Sequence, residues 1–191
     1  MDRLLFFHDF ASPFCRLALD ALEEAADRAG LEVRPVPLEL WPAPEPLPSP
    51  DEPRLVDELE TALDLAREWG TSLRKPPRIP RTRKAHETVA FALKHGEARA
   101  VLHGLYAALW SDGRDIARID VLTDVGEAAG LDREALHVAL GLDEFEADVV
   151  REQHAAAGAG ITGVPAFQIG SVLASGLFPA RELRAWIEET R

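Results

Sequence analysis

The stretch "FFHDFASPFCRLAL", residues 6–19, sets the end of an apolar run directly against the first turns of an amphipathic helix. "LLFF" at residues 4–7 is a short continuous apolar segment, the pattern of a strand covered on both faces. Ser12 suits the N-cap because its hydroxyl oxygen can accept an orphan backbone N–H. Pro13 then falls at the first helical position, where no N–H is needed. Phe14, Leu17, Ala18, Ala21, Leu22 and Ala25 follow at spacings of three and four, and Gly30 supplies the stop. The strand-to-helix junction thus carries a hydroxyl at the helix mouth and a thiol, Cys15, about one turn further in.

Beyond Gly30, "LEVRPVPLEL" alternates apolar and polar residues like a strand returning to the sheet, and its prolines favour an edge position. Residues 40–53, "LWPAPEPLPSPDEP", hold six prolines and predict an extended polyproline-type connector. Helical periodicity then takes over. One stripe runs through Leu55, Val56, Leu59, Ala62, Leu63 and Ala66 to a stop near Gly70. A second joins Ala85, Val89, Ala92 and Leu93, and a third joins Val101, Leu102, Leu105, Ala108 and Leu109. Shorter helices are predicted from Ile119 to Ala129, from the Asp132 cap to Gly141, and from Asp143 through Val150 towards "AAAGAGITG". "VPAFQIG" and "SVLASG" read as two strands of a hairpin around Gly170 and Ser171, and "PARELRAWIEE" as a terminal helix with Leu183, Trp186 and Ile187 inward. The order is βαβ, a block of helices, then ββα.

Composition narrows the function classes. The 191 residues are 47% apolar and 28% charged, as in a globular chain able to bury a full core. With 33 acidic against 21 basic residues, formal net charge −12, the surface as a whole repels nucleic acid and anionic membranes. The start "MDRLLFFHDF" lacks a signal-peptide core and no stretch reaches transmembrane length, which predicts a cytoplasmic protein. A single cysteine agrees with that compartment. The six histidines are scattered without metal-ligand spacing, so no metal site is expected.

Three stretches carry a family likeness: "HDFASPFC" at residues 8–15, "TRKAHETVAFA" at residues 82–92, and "GITGVPAFQIGSVLASGLFPARELRAWI" at residues 160–187. Together they resemble the DsbA-like thioredoxin-fold superfamily, which includes FrnE-type oxidoreductases, kappa-class glutathione transferases and 2-hydroxychromene-2-carboxylate isomerases. The implied fold class is α/β, a thioredoxin fold (βαβ…ββα) with an all-helical insertion. Residues 1–50 and 160–191 would form the thioredoxin-fold domain, and residues 51–159 the inserted helical subdomain. The resemblance also implies a cis proline at Pro165 facing the active-site turn, with the backbone of Val164 presented to a thiol substrate.

The sequence departs from the dithiol members at one place. Where they carry Cys-x-x-Cys this chain has Ser12-Pro13-Phe14-Cys15, so the resemblance gives Ser12 the nucleophile's place and leaves Cys15 alone. In the transferase and isomerase branch a serine there donates a hydrogen bond to the thiolate of bound glutathione. The resemblance therefore implies Ser12 and Cys15 as catalytic candidates, and Pro13, Phe14, Val164 and Pro165 as substrate-binding ones. Cys15 stands on the face that packs inward, which favours an enclosed thiol over a nucleophile. His8, Asp9 and His86 would lie near the turn by the same analogy.

The expected function is that of a DsbA-like thiol-disulfide oxidoreductase-family protein, acting on or binding a thiol substrate without an intramolecular dithiol cycle. The alternatives are a glutathione-dependent transferase or isomerase, and a catalytically silent binding protein. No covalent cofactor is expected; glutathione or another low-molecular-weight thiol is. The expected partner is a small thiol or thiol-containing substrate, with neither nucleic acid nor membrane, and a homodimer is compatible with the family. Finally, "LRKPPRIPRTRK" holds six of the 21 basic residues with no acid among them, either a solvated loop or a local attraction for an anionic ligand.

Overall fold

The computed structural model describes residues 3–190. Two compact units emerge, Met1–Leu40 with Gln153–Arg191, and Trp41–Glu152. These boundaries lie at Leu40 and Gln153, where the sequence reading drew them at 50 and 160.

The first unit is built on a four-stranded sheet of order β2-β1-β3-β4. Strand β1, Arg3–His8, pairs in parallel with β2, Glu32–Pro37, and antiparallel with β3, Ala166–Ile169, which in turn pairs antiparallel with β4, Val172–Ser175. The prolines Pro35 and Pro37 are accommodated because β2 is an edge, where missing donors break no ladder. Helix α1, Pro13–Ala29, starts at the Ser12 cap with Pro13 in its first turn and ends at Gly30. At φ 66° that residue sits in the left-handed region, and its N–H closes on the carbonyls of Ala26 and Asp27. α1 packs with the terminal helix α8, Ala180–Thr190. Phe6 stacks on Phe167 at 5.7 Å and Phe167 meets Trp186 of α8 at 6.4 Å. Phe7, Val36, Leu38, Ala156, Ile161 and Ala166 form a further apolar cluster.

The second unit is helical: α2, Pro53–Trp69; α3, Arg83–His95; α4, Ala98–Trp110; α5, Ile119–Ala128; and α6, Arg133–Gly141. α7, Glu146–Gly158, begins in this unit, and its residues from Gln153 belong to the first. Gly104 lets α4 approach α5, since a Cβ there would stand 2.7 Å from Cγ1 of Val125. The stripe predicted for α3 needs one correction. Leu93 is exposed, whereas His86, Glu87 and Thr88 are buried along with Ala85, Val89, Phe91 and Ala92.

The proline-rich connector is not uniformly extended. It reverses at a turn closed by the Glu45 N–H to the Pro42 carbonyl (2.9 Å), with a cis Ala43–Pro44 bond inside. Arg81 holds this turn from the helical unit's side of the chain, donating to the carbonyls of Trp41 (2.7 Å) and Glu45. That tether explains why the residues just after Leu40 group with the helices.

The other cations of the basic run are paired in the same way. Arg74 donates to the Asp112 carbonyl, Lys75 meets Asp51 at 2.6 Å, Arg78 meets Asp115 at 3.6 Å and Arg83 meets Glu146 at 3.2 Å. Lys84 Nζ donates to the Leu140 carbonyl (2.6 Å), to Asp143 and to Glu87. Each positive charge of the run meets an acceptor within its own unit, so the segment is a tethered strap rather than an open cationic patch.

Candidate active site

The site residues of the first unit gather at one end of its sheet because of the register. Phe7 of β1 pairs with Ala166 of β3, so the residues after β1 and those before β3 leave the sheet at the same end. Asp9 to Ser12 form the first of these segments and Gly163 to Pro165 the second.

The turn into α1 is held by Asp9, which is 1% exposed. Its Oδ1 accepts the Ala11 N–H (3.3 Å), its Oδ2 accepts the Leu40 N–H (2.7 Å), and its own carbonyl accepts the Ser12 N–H (3.1 Å). One carboxylate thereby ties the helix mouth to the chain leaving β2. His8 is fully buried, stacked on Phe6 at 5.1 Å and edge-on to Phe10 at 5.0 Å. This aromatic column stiffens the strand end from which the turn departs. His86, grouped with these residues by analogy, lies on α3 in the helical unit.

Ser12 caps α1, its Oγ accepting the Cys15 N–H at 3.4 Å. Ser12 is 4% exposed, and its hydroxyl hydrogen meets no acceptor among the described residues. No acidic residue occupies the first turn of α1, so the partial positive charge of the helix terminus is not neutralised there. Pro13 and Phe14 are half-buried beside it. Cys15 is fully buried within the α1 face that packs into the core.

Across the sheet end, the Val164–Pro165 peptide bond is cis. The Pro165 carbonyl accepts the Gly176 N–H at 2.9 Å, which commits it to β4. Neither the N–H nor the carbonyl of Val164 has a hydrogen-bond partner among the described residues. A half-buried residue with both backbone groups open is a place for an extended ligand to pair. No group of three His, Cys, Asp or Glu side chains that could hold a metal ion occurs among the described residues, and none of their helices is long and apolar enough to cross a membrane.

The whole described fold fits one family description, the DSBA-like thioredoxin domain, matched over residues 3–188. The chain belongs to that family. A curated relative, the uncharacterized protein YwbO of Bacillus subtilis (strain 168), is 31% identical over 176 residues, covering 89% of this chain and 88% of YwbO. Three solved structures share the fold at lower identity. The probable DsbA oxidoreductase SCO1869 from Streptomyces coelicolor superposes with a TM-score of 0.86 at 23% identity, covering 100% of this chain and 90% of that one. A 2-hydroxychromene-2-carboxylate isomerase gives 0.82 at 22% identity, with 97% and 94% covered. The cytosolic disulfide reductase DsbM from Pseudomonas aeruginosa, solved with GSH, gives 0.75 at 21% identity, with 98% of each chain covered. Proteins named as oxidoreductases and as an isomerase thus share this fold.

One feature of the site escaped the sequence reading. Asp9 was placed near the turn by analogy, but its grip on Leu40 joins residues 31 apart and leaves no periodic trace. The presented backbone of Val164 was expected from the family resemblance and not from the hairpin signal, which does not fix the register of three strands.

Proposed function

We propose that this protein binds a low-molecular-weight thiol as its thiolate at the mouth of α1 and acts on it without an intramolecular dithiol cycle. The observation that carries this is the pairing of a Ser12 hydroxyl whose hydrogen meets no acceptor among the described residues with a fully enclosed Cys15. Ser12 Oγ accepts from the backbone and donates to the ligand sulfur, while the helix terminus adds favourable charge. A charge-assisted hydrogen bond contributes about 1.5–3 kcal/mol and a helix terminus about 0.3–2 kcal/mol. Together they lower the titration of a bound thiol by roughly one to three pH units, enough to ionise at neutral pH a thiol that titrates near about 8.5 in water. Val164 supplies an N–H and a carbonyl for the ligand's backbone, while Pro13 and Phe14 flank its sulfur. Asp9 keeps the turn in the shape this requires. These groups suit a peptide-like thiol such as glutathione, and the GSH held by DsbM on the same fold supports that choice.

Within this reading, glutathione-dependent isomerisation or transfer is favoured over disulfide exchange, because the only protein thiol is buried and Ser12 cannot form a mixed disulfide. The protein would act in the cytoplasm, where such thiols are reduced. The test is calorimetric titration with glutathione, alongside ultraviolet detection of the bound thiolate as pH is varied. Binding with a thiolate signal at neutral pH, lost in Ser12→Ala, is the expected result. Multiple-turnover disulfide formation in a reduced substrate protein, with no added thiol, would overturn the proposal.

A further inference from the structure

α1 carries a cation where a helix least favours one. Arg16 lies in its first turn, four residues after Ser12, and its backbone N–H bonds to the Ser12 carbonyl at 3.4 Å. The positive end of the helix dipole is there, so a guanidinium works against the helix. Its partner offsets little of that. Nη1 of Arg16 donates to Oδ2 of Asp20 at 3.1 Å, with the cation preceding the anion, the less favourable order of an i,i+4 pair, and Asp20 is exposed. The other donors of the guanidinium meet no acceptor among the described residues, although only 14% of the Arg16 side chain is exposed. A largely covered arginine with most of its planar fork unanswered suits a ligand better than it suits the fold.

The position of Arg16 relates it to the helix mouth. Residues four apart share one helix face, and a helical side chain lies over the turn before its own Cα, so the stem of Arg16 lies over the turn that Ser12 caps. The deeply buried Ser12 hydroxyl, its hydrogen unanswered, is a second polar group on that face. Residues 153–180, which include the Val164 segment, contain no Asp, Glu, Lys or Arg, so no side chain there neutralises Arg16 or competes with it for an anion.

We infer that Arg16 is the specificity-determining residue of the thiol site: it pairs with the carboxylate of the residue that follows cysteine in a peptide-like thiol, while Ser12 holds the sulfur. This rests on the thiol reading of Ser12 and narrows the ligand to a thiol that carries a carboxylate close to its sulfur. With the ligand's cysteine paired to Val164, the carboxylate of the next residue lies one residue further along, about 3.3–3.6 Å for each residue of extended chain. That reach is comparable with the pitch of about 5.4 Å that separates Arg16 from Ser12 along α1. The guanidinium fork matches both carboxylate oxygens, and Asp20 holds it by one nitrogen until the ligand arrives.

The test is calorimetric titration of the full chain with glutathione and with its glycyl ethyl ester, which keeps the thiol and the γ-glutamyl group and lacks only the glycyl carboxylate. Wild type is expected to bind glutathione about tenfold or more tightly than the ester. Arg16→Gln should bind both equally, at the affinity of the ester, and Arg16→Lys, which keeps the charge without the fork, should fall between. Asp20→Asn releases the guanidinium and should strengthen binding of glutathione but not of the ester, whereas a merely structural Arg16–Asp20 pair would give no such gain. Urea unfolding of each variant checks that it is folded. A wild type without preference for glutathione, a preference that survives Arg16→Gln, or an Asp20→Asn without the gain overturns this inference and leaves the thiol reading standing. A wild type that binds neither thiol overturns that reading, and this inference with it.

Discussion

The most deeply enclosed carboxylates of the two units, Asp9 in one and Glu87 in the other, are stabilised by different means. Asp9 in the thioredoxin-fold unit is held by backbone N–H groups, at Ala11 and Leu40. Glu87 in the helical unit is fully buried and faces a lysine: Lys84 Nζ lies 3.1 Å from both its oxygens, bonded to Oε2 and in charge contact only with Oε1. Backbone donors cannot move away or lose a proton, so Asp9 fixes a chain path. The lysine also serves Asp143 and Leu140, so Glu87 is one of three acceptors sharing a cation. Burial raises the Glu87 pKa above its ordinary 4.5, against the pull of Lys84. A carboxylate gripped by amides suits a site that must keep its shape. One shared with a lysine closes a helical unit and tolerates more change.

The largest expected effect concerns what the Asp9 turn encloses. If Cys15 reacts only on unfolding, a domain stability of about 5 kcal/mol or more slows its labelling at least about a thousandfold relative to the denatured chain. Fast native labelling, with the pH dependence of a thiolate, would break the picture of a rigid turn. Next, Asp9→Ala strands two backbone donors and should cost about 2–4 kcal/mol in urea unfolding. Glu87→Ala should cost less, since Lys84 keeps two acceptors; equal losses would erase the distinction between the two carboxylates.

Ser12→Ala removes the cap and should cost about 1 kcal/mol, while Ser12→Thr should recover most of it. The smallest effect is a slope. Glu87 holds its proton to higher pH folded than unfolded, so the folded state binds more protons between the two titrations and loses stability as pH rises through that window. Glu87→Gln abolishes this term. Its stability relative to wild type should therefore climb as pH is raised above about 4.5. A difference that stays flat with pH would remove the argument for a burial-raised carboxylate.

The sequence made the junction at Ser12 and Pro13 legible because capping is a local rule, written within four residues. Gly30 and Gly70 ended their helices for the same reason, each with positive φ. The sheet of the DsbA-like fold was legible in type, since short apolar runs and a hairpin turn mark strands without reference to the rest of the chain. What stayed hidden was polar and distant. Glu87 broke the apolar stripe by which α3 was read, and Leu93 was counted inward because it continued that stripe. The pairings of Arg74, Arg78 and Arg81 reach across 36 to 40 positions, and a charge run looks the same whether its partners are water or carbonyls.

The burial of Cys15 also bears on how the protein ages. Thiolates and thioethers are the groups that peroxide converts stepwise to sulfenic, sulfinic and sulfoxide forms, and exposure decides which are reached. This chain has one cysteine and one methionine, and the cysteine is sealed beneath the first turn of α1. A serine at the helix mouth has no oxidised state to fall into. Under the proposed function, a thiol held there would be consumed by an oxidant and replaced by a fresh molecule, with Ser12 and Cys15 left unchanged.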